Sequence, residues 1–309
     1  MVSKVLSMVL PVLVMILLGR YCASSGILND DRHAGLKGII GDILLPVVLF
    51  NAFFTAEYSA SLVLVFGLVF AGFCVALGLA FLLKRFVSPY GRFMPLLMSG
   101  AEGGMLGYAL FSLISGGVTS HYAMVDIGQT VFAYTVYLAT LKAAEGQSLK
   151  PAQIVKNMVT NRACIGMTLG IVLGATGCYK AIAGTDFGNV ITSLISFITA
   201  PTSALILIVV GYELRFSKKL MKPVFTTIAM RLVVMAGIMA AVSAVLFAII
   251  PYDKMLFLAL LVQYSLPAPF IIPLFADLGD DSEYVSTTLS MGTLVTVVLF
   301  AAIAVFSLA

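Results

Sequence analysis

Apolar and polar positions alternate along this chain in long blocks. Apolar runs fall near 4–25, 38–55, 60–83, 92–114, 121–143, 161–179, 187–213, 224–250, 255–276 and 284–308. Each is close to the roughly 17–25 residues that a helix needs to cross a bilayer. The pattern predicts ten transmembrane helices joined by short connections. Lys and Arg collect in alternate connections: Arg20, Arg32 and Lys37; Lys84, Arg85 and Arg92; Lys142, Lys150, Lys156 and Arg162; Arg215, Lys218, Lys219 and Lys222. Basic connections mark the cytoplasmic side, which places both termini outside a multi-pass cell (inner) membrane protein. The connection Asp277 to Glu283 should also be cytoplasmic, yet it is acidic.

Composition supports this reading. Hydrophobic residues make up 61% of the chain and charged residues 10%, with a mean hydropathy of +1.09. Ordinary soluble domains carry about 25% charged residues. No hydrophilic stretch is long enough for a separate soluble domain, and nothing supports nucleic-acid binding. Met1 to Ser25 reads as a retained first span rather than a cleaved signal. Cys22, Cys74, Cys164 and Cys178 form no CxxC pair and read as small buried hydrophobes, so no metal site is expected. His33 and His121 lie at span ends, and no HExxH motif, phosphate loop or nucleophile elbow appears. The chain does not read as an enzyme.

Five spans precede the longest connection and five follow it. The expected organisation is a first five-helix repeat over 1–143, a cytoplasmic linker with a short surface helix over 144–160, and a second repeat over 161–309. An odd number of spans per repeat inverts the second copy in the membrane. Internal markers correspond. Pro46 in span two matches Pro201 in span seven. Span nine carries Pro267, Pro269 and Pro273, which cannot all belong to one continuous helix. Its counterpart, span four, contains Ser99-Gly100-Ala101-Glu102-Gly103-Gly104-Met105-Leu106-Gly107. Glycines weaken a helix interior by about 1 kcal/mol each, so a second break is expected there. Broken backbone inside a membrane is tolerated where it is buried in protein or lines a cavity.

Candidate chemistry gathers around these breaks. A carboxylate at the bilayer centre costs about 2.5–3.5 kcal/mol even on a mild scale. A helix N-terminus returns only about 0.3–1 kcal/mol, up to about 2 when partly buried. Glu102 therefore needs water, a cation, a basic solute group or a proton, unless it merely caps its half-helix or faces a wet vestibule. Asp126 and Gln129 share one helical face; a functional role for Asp126 competes with simple wetting at the outer end of span five. Asp42 reads as solvated. Asn51 and Thr55 either line a cavity or bond to a neighbouring helix. Gln263, one turn before Pro267, is placed to enter the break. Arg231 reads as snorkelling to the cytoplasmic face, and Tyr108, Tyr134 and Tyr137 as packing.

The stretch Leu261-Val262-Gln263-Tyr264-Ser265-Leu266-Pro267-Ala268-Pro269-Phe270-Ile271-Ile272-Pro273 resembles the auxin efflux carrier family, whose plant members are the PIN-type exporters. Leu10-Pro11-Val12 with Gly19, Leu44-Leu45-Pro46, Asp126-Ile127-Gly128-Gln129, Asn161 and Ser286-Thr287-Thr288 add to the likeness, which covers nearly the whole chain. The resemblance implies an all-α fold of ten helices in two inverted five-helix repeats, with helices four and nine broken and crossing near the midplane. It implies a scaffold of helices 1, 2, 6 and 7, a transport domain of helices 3–5 and 8–10, and a homodimer through the scaffold. Departures are present. Ala101-Glu102 stands where PIN-type members have Pro-Asn, Ala268 replaces a polar residue, and Arg162 follows Asn161 where many members have proline. Auxin itself is therefore not the expected solute.

The expected function is secondary transport of a small organic solute, an organic acid anion by family inference, by elevator-type alternating access. The expected substrate-binding residues are Asn51, Ala101, Glu102, Gly103, Gly104, Asp126, Gln129, Gln263, Pro267, Ala268 and Pro269. Glu102 is the coupling point. No resident cofactor is implied, only a coupling proton or sodium ion (Na+). Two alternatives stand beside this: a carrier of amine solutes paired with Glu102, and a non-transporting membrane sensor that binds a small ligand.

Overall fold

A computed structural model describes residues 2–56, 60–88, 90–146, 152, 156 and 159–308. All regular structure among them is helical. The main helices are α1 (Val2–Ser24), α2 (Asp30–Phe54), α3 (Ala60–Leu83), α4 (Met94–Met98), α5 (103–115), α6 (120–144), α7 (Arg162–Ala175), α8 (Cys178–Ile182), α9 (Asp186–Glu213), α10 (Met221–Ile249), α11 (Lys254–Ser265), α12 (Ile271–Phe275) and α13 (Ser282–Ser307). By length and composition, α1, α2, α3, α9, α10 and α13 can each cross a membrane, and α7 and α11 are shorter apolar helices. The fold is that of an all-α membrane protein. Of the expected 144–160 surface helix, residues 147–151, 153–155 and 157–158 lie outside the described residues.

Local chemistry sets the helix ends. Side-chain oxygens of Asn29, Asn161, Thr185 and Asp253 accept backbone N–H groups at the starts of α2, α7, α9 and α11, meeting donors that no helical carbonyl can reach. α5 stops at Gly116, which takes φ +68°, a backbone conformation that glycine adopts without penalty. Three helices contain a single wide turn closed by an i→i+5 bond: Ile40–Leu44 in α2, Gly103–Gly107 in α5 and Ala133–Tyr137 in α6. The one in α2 directly precedes Pro46, which lacks the N–H that an unbroken α-helix would require.

Small residues let helices from the two ends of the chain meet. Between α2 and α7, a Cβ on Gly170 would lie 3.0 Å from the Cβ of Phe53, and one on Gly166 would run into the Pro46 carbonyl. Between α1 and α9, Cβ atoms on Gly19 and Gly211 would run into the carbonyls of Ile208 and Ile16. Inside a bilayer, association of this kind rests on van der Waals contact, and small residues permit it. α3, α6, α10, α11 and α13 pack together beside these pairs.

The acidic connection finds a partner at a basic end. The Asp277 N–H donates to Glu145 Oε1 at 2.6 Å, and Lys142 donates to Glu145 Oε2 at 2.8 Å. Arg92 Nε donates to the Ala144 carbonyl at 3.0 Å. The 277–281 turn therefore sits at the end of the bundle that carries Arg92 and Lys142. Burial pushes the Glu145 carboxyl up, but Lys142, the Asp277 N–H and Arg92 outweigh it and hold the carboxyl below its ordinary range.

Two predictions follow from this packing. Gly166→Ala should lower the thermal midpoint in detergent, since adding a methyl to a filled contact costs about 1–3 kcal/mol; Gly67→Ala, with open space around it, should leave the midpoint unchanged or slightly raised. A carboxyl depressed in the folded state stabilises above its unfolded pKa and loses that contribution as pH falls through the folded value. The protection of the Asp277 amide, its exchange measured against the intrinsic rate at each pH, should therefore be highest at neutral pH and fall on acidification through the lowered Glu145 range. Glu145→Gln should abolish that pH response.

Candidate functional site

Four half-helix ends meet in the middle of the bundle. α4 stops at Met98 and α5 opens at Gly103; α11 stops at Ser265 and α12 opens at Ile271. The connections 99–102 and 266–270 touch. The Glu102 N–H donates to the Pro267 carbonyl at 3.0 Å, and the Phe270 N–H donates to Glu102 Oε2 at 2.5 Å. Glu102 is thus bound to the other break through both backbone and side chain. Gly100 has φ +72°, and a Cβ there would lie 3.0 Å from Pro269 and from the Tyr137 ring. Only glycine suits both the conformation and the space.

The carbonyls at these breaks are satisfied by side chains. Arg231 of α10 is buried; Nη1 donates to Leu97 O at 3.1 Å, and Nη2 donates to Gly100 O at 2.7 Å and Leu266 O at 2.8 Å. The Tyr137 hydroxyl donates to Leu96 O at 2.9 Å, Gln129 Nε2 to Ala101 O at 2.6 Å, and the Thr296 hydroxyl to Ser265 O at 2.6 Å. The cation lies where α4 and α11 end and the carboxylate where α5 and α12 begin. Both placements suit the partial charges of the helix ends.

A cavity of about 470 Å³ leads to this junction. It runs from exposed Ala34 and Asp42 on α2, past Asn161 and Tyr134, to buried Glu102, Asp126 and Gln129. Wide turns of α2, α5 and α6 contribute Gly41, Gly103, Gly104, Ala133 and Tyr134 to its wall. Lys37 lines the mouth, where it pairs with Glu213 at 2.5 Å; Glu213 also lies 3.3 Å from His33. Asp42 pairs with Arg162.

Of the residues expected at the site, Ala101, Glu102, Gly103, Gly104, Asp126, Gln129 and Pro269 line this cavity. Gln263, Pro267, Ala268 and Asn51 do not. Gln263 is fully buried behind Gly103, with Oε1 accepting the Tyr122 hydroxyl. Pro267 packs on the far side of the break toward Arg231 and Gly292. Ala268 is buried at the junction without reaching the cavity. Asn51 faces two separate small cavities. Asp126 is only 1% exposed, so wetting at a span end is not its situation.

Sequence reasoning took Arg231 for a snorkelling residue, where the structure buries it against the breaks, and passed over Tyr122 and Thr130. The signal for Arg231 was its depth. It lies ten residues past Met221, the start of α10, or about 15 Å at 1.5 Å per residue, too far in for an easy reach to the surface. For Tyr122, whose hydroxyl reaches Gln263, and Thr130, whose hydroxyl donates to Asp126 Oδ2 at 3.2 Å, no sequence signal marked the pairing.

The family described as membrane transport protein matches residues 4–304, nearly the whole chain. A comparison with curated proteins finds no match. The family match bears out the resemblance read from the residues.

Arg231→Met should leave the Leu97, Gly100 and Leu266 carbonyls short of donors. At about 1–3 kcal/mol for each buried group left unpaired, the thermal midpoint of the purified chain should fall by several degrees or the chain should aggregate. Arg231→Lys, which keeps the charge and loses the planar fork, should fall between the two.

Proposed function

The chain belongs to the membrane transport protein family, and on that premise we propose that it is a secondary carrier of a small organic solute rather than an enzyme. The observation that carries this reading is the cavity of about 470 Å³ whose floor is the contact between two helix breaks. Its volume suits a small molecule. Its floor presents Glu102, Asp126 and Gln129, and it opens at the end bearing Lys37 and Arg162.

The solute is an organic acid anion by family inference. Two buried carboxylates at the floor mean that an anion enters with a compensating positive charge, a proton or a sodium ion. Coupling through Glu102 thereby extends to its neighbour Asp126. The alternative solute is an amine, favoured by the same two carboxylates and by the engagement of Lys37 with Glu213.

Ten spans in two inverted repeats are supported by exchange between the halves. α1 packs on α9 and α2 on α7, each across glycines that bring the backbones close. In this reading α1, α2, α7 and α9 form the scaffold, and the remaining helices carry the crossing near the midplane of the inner membrane. Sliding of that unit along the scaffold would expose the floor to the opposite side, with both termini outside. Exposed apolar residues such as Leu169 and Val172 on α7 and Phe197 on α9 offer the scaffold surface for lipid or a second copy.

Proteoliposomes containing the full chain should accumulate labelled carboxylates from a mixed panel of carboxylates and amines; accumulation of amines alone selects the amine carrier. Glu102→Gln keeps an acceptor for the Phe270 N–H and should fold. It should change uptake roughly tenfold, equivalent to about 1.4 kcal/mol, and shift its dependence on pH or sodium. Unaltered uptake in every respect would remove Glu102 from the site. Measurable binding without flux would favour a sensor.

A further inference from the structure

Asp126 sits in a buried polar cluster. Oδ2 accepts the Thr130 hydroxyl, and the carboxylate faces the Tyr108 hydroxyl, close to it but short of a well-aligned hydrogen bond. Nε2 of Gln263 is buried nearby without a hydrogen-bond partner. Gln263 commits Oε1 to Tyr122, so that Nε2 faces Gly103 on the side where Asp126 Oδ1 also lies. The Tyr108 hydroxyl lies beside Asp126. Asp126, Gln263 and Tyr108 are 1%, 0% and 3% exposed. A buried carboxylate whose partners are incompletely matched is costly to keep charged, and taking up a proton relieves that cost.

The charged and titratable surroundings are few. Glu102 comes from the break, Tyr108 from α5, Tyr122 and Tyr134 from α6 itself, and Cys164 from α7. α2 brings Lys37 and Asp42 only at the cavity mouth. α11 brings the uncharged Gln263 and Tyr264, and α3 meets α6 at Gly128 with Phe66, Val69 and Phe70. Among the described residues no Lys, Arg or His forms a salt bridge with Asp126.

Two cavities also end on this cluster. Asp126 lines the larger one directly. A second, of about 230 Å³, is lined by Asn51, Tyr108, Ser112, Thr119, Thr202 and Ser203 and reaches exposed Gly117 and Ala200. The larger cavity meets α5 at its first residues and the smaller one meets it from Tyr108 onward. They therefore approach Asp126 from opposite ends of that helix, with Tyr108 as the partition.

We propose that Asp126 is the proton-carrying group of the transport cycle and that Tyr108 links it to the hydroxyl-lined cavity. This rests on the carrier reading given above. A hydronium in the larger cavity gives a proton to Oδ1 and leaves as water, so that one O–H bond breaks as one forms, and the neutral carboxyl can then donate toward the Tyr108 oxygen. Loss of that negative charge compensates an incoming anion. On release, the carboxyl proton passes to the Tyr108 oxygen as the Tyr108 proton passes to water in the smaller cavity. Only O–H bonds form and break. Glu102 is the less suited carrier, because its Oε2 accepts the Phe270 N–H and holds the two breaks together.

Infrared pH titration of the purified full chain, with no solute added, tests the proton site apart from transport. The expected result is a protonated-carboxyl band that titrates in the wild type, is lost in Asp126→Asn, and persists in Glu102→Gln and Tyr108→Phe. Asp126→Glu should restore a band at a shifted frequency, which separates loss of the proton from loss of fold. The Asp126 component is read as the wild type minus Asp126→Asn difference, because the chain has 14 Asp and Glu residues; absence of any such difference, or loss of that component in Glu102→Gln while the variant remains monodisperse, overturns the proposal. Failure of carboxylate uptake with the Asp126 band intact would instead count against the carrier reading. In vesicles loaded with a pH dye, Tyr108→Phe should slow proton release to one side only, and equal rates on both sides would remove Tyr108 from the path.

Discussion

Arg231 has to serve two broken helices at once. Interrupting α4–α5 and α11–α12 frees carbonyls in a region where water cannot be assumed. One planar guanidinium reaches Leu97, Gly100 and Leu266 and joins the two interruptions into one unit. Glu102 does the reverse on the donor side by taking the Phe270 N–H. Neither break could stand alone at this depth, because each supplies part of what the other lacks. The cavity exists because its floor is held in this way.

This arrangement also orders the electrostatics. The positive group is buried against carbonyls, behind the cavity, and the negative groups face it. A solute reaching the floor meets Glu102 and Asp126 rather than Arg231. Lys37 and Arg162, the basic residues at the open end, are already paired with Glu213 and Asp42. In the proposed carrier, an acidic solute would therefore meet no fixed cation at the floor and would need the positive charge that enters with it. Under that proposal, the charge of the solute and the coupling species would be set by the same constraint.

Much of this was legible in the residues. Pro267 and Pro269 cannot continue a helix, and the glycines from Gly100 to Gly107 weaken one, so both interruptions were visible as local chemistry. The same holds for Glu102, whose charge stands out in an apolar run. Arg231 was misjudged because snorkelling is the common fate of such a residue, and only its depth argued otherwise. Gln263 was expected in the cavity because it precedes Pro267 by one turn. Yet the direction of a side chain depends on what fills the space behind it, and that is Tyr122, a hundred and forty-one positions away. Residues paired across such distances leave no mark on local sequence.

The three wide turns in α2, α5 and α6 bear on how the cavity should be regarded. All three contribute to its wall, and their lining residues are chiefly Gly and Ala. A turn closed one residue late disturbs the regular pairing of carbonyls, which is why such turns recur at functional sites. The wall is consequently a surface of peptide dipoles as much as of side chains. Any hydrogen bonding that this wall offers a bound molecule would reside partly in backbone atoms, which no side-chain substitution deletes. Enlarging a glycine there would obstruct the cavity instead of stripping it, so a loss of function at these positions would report shape, not chemistry.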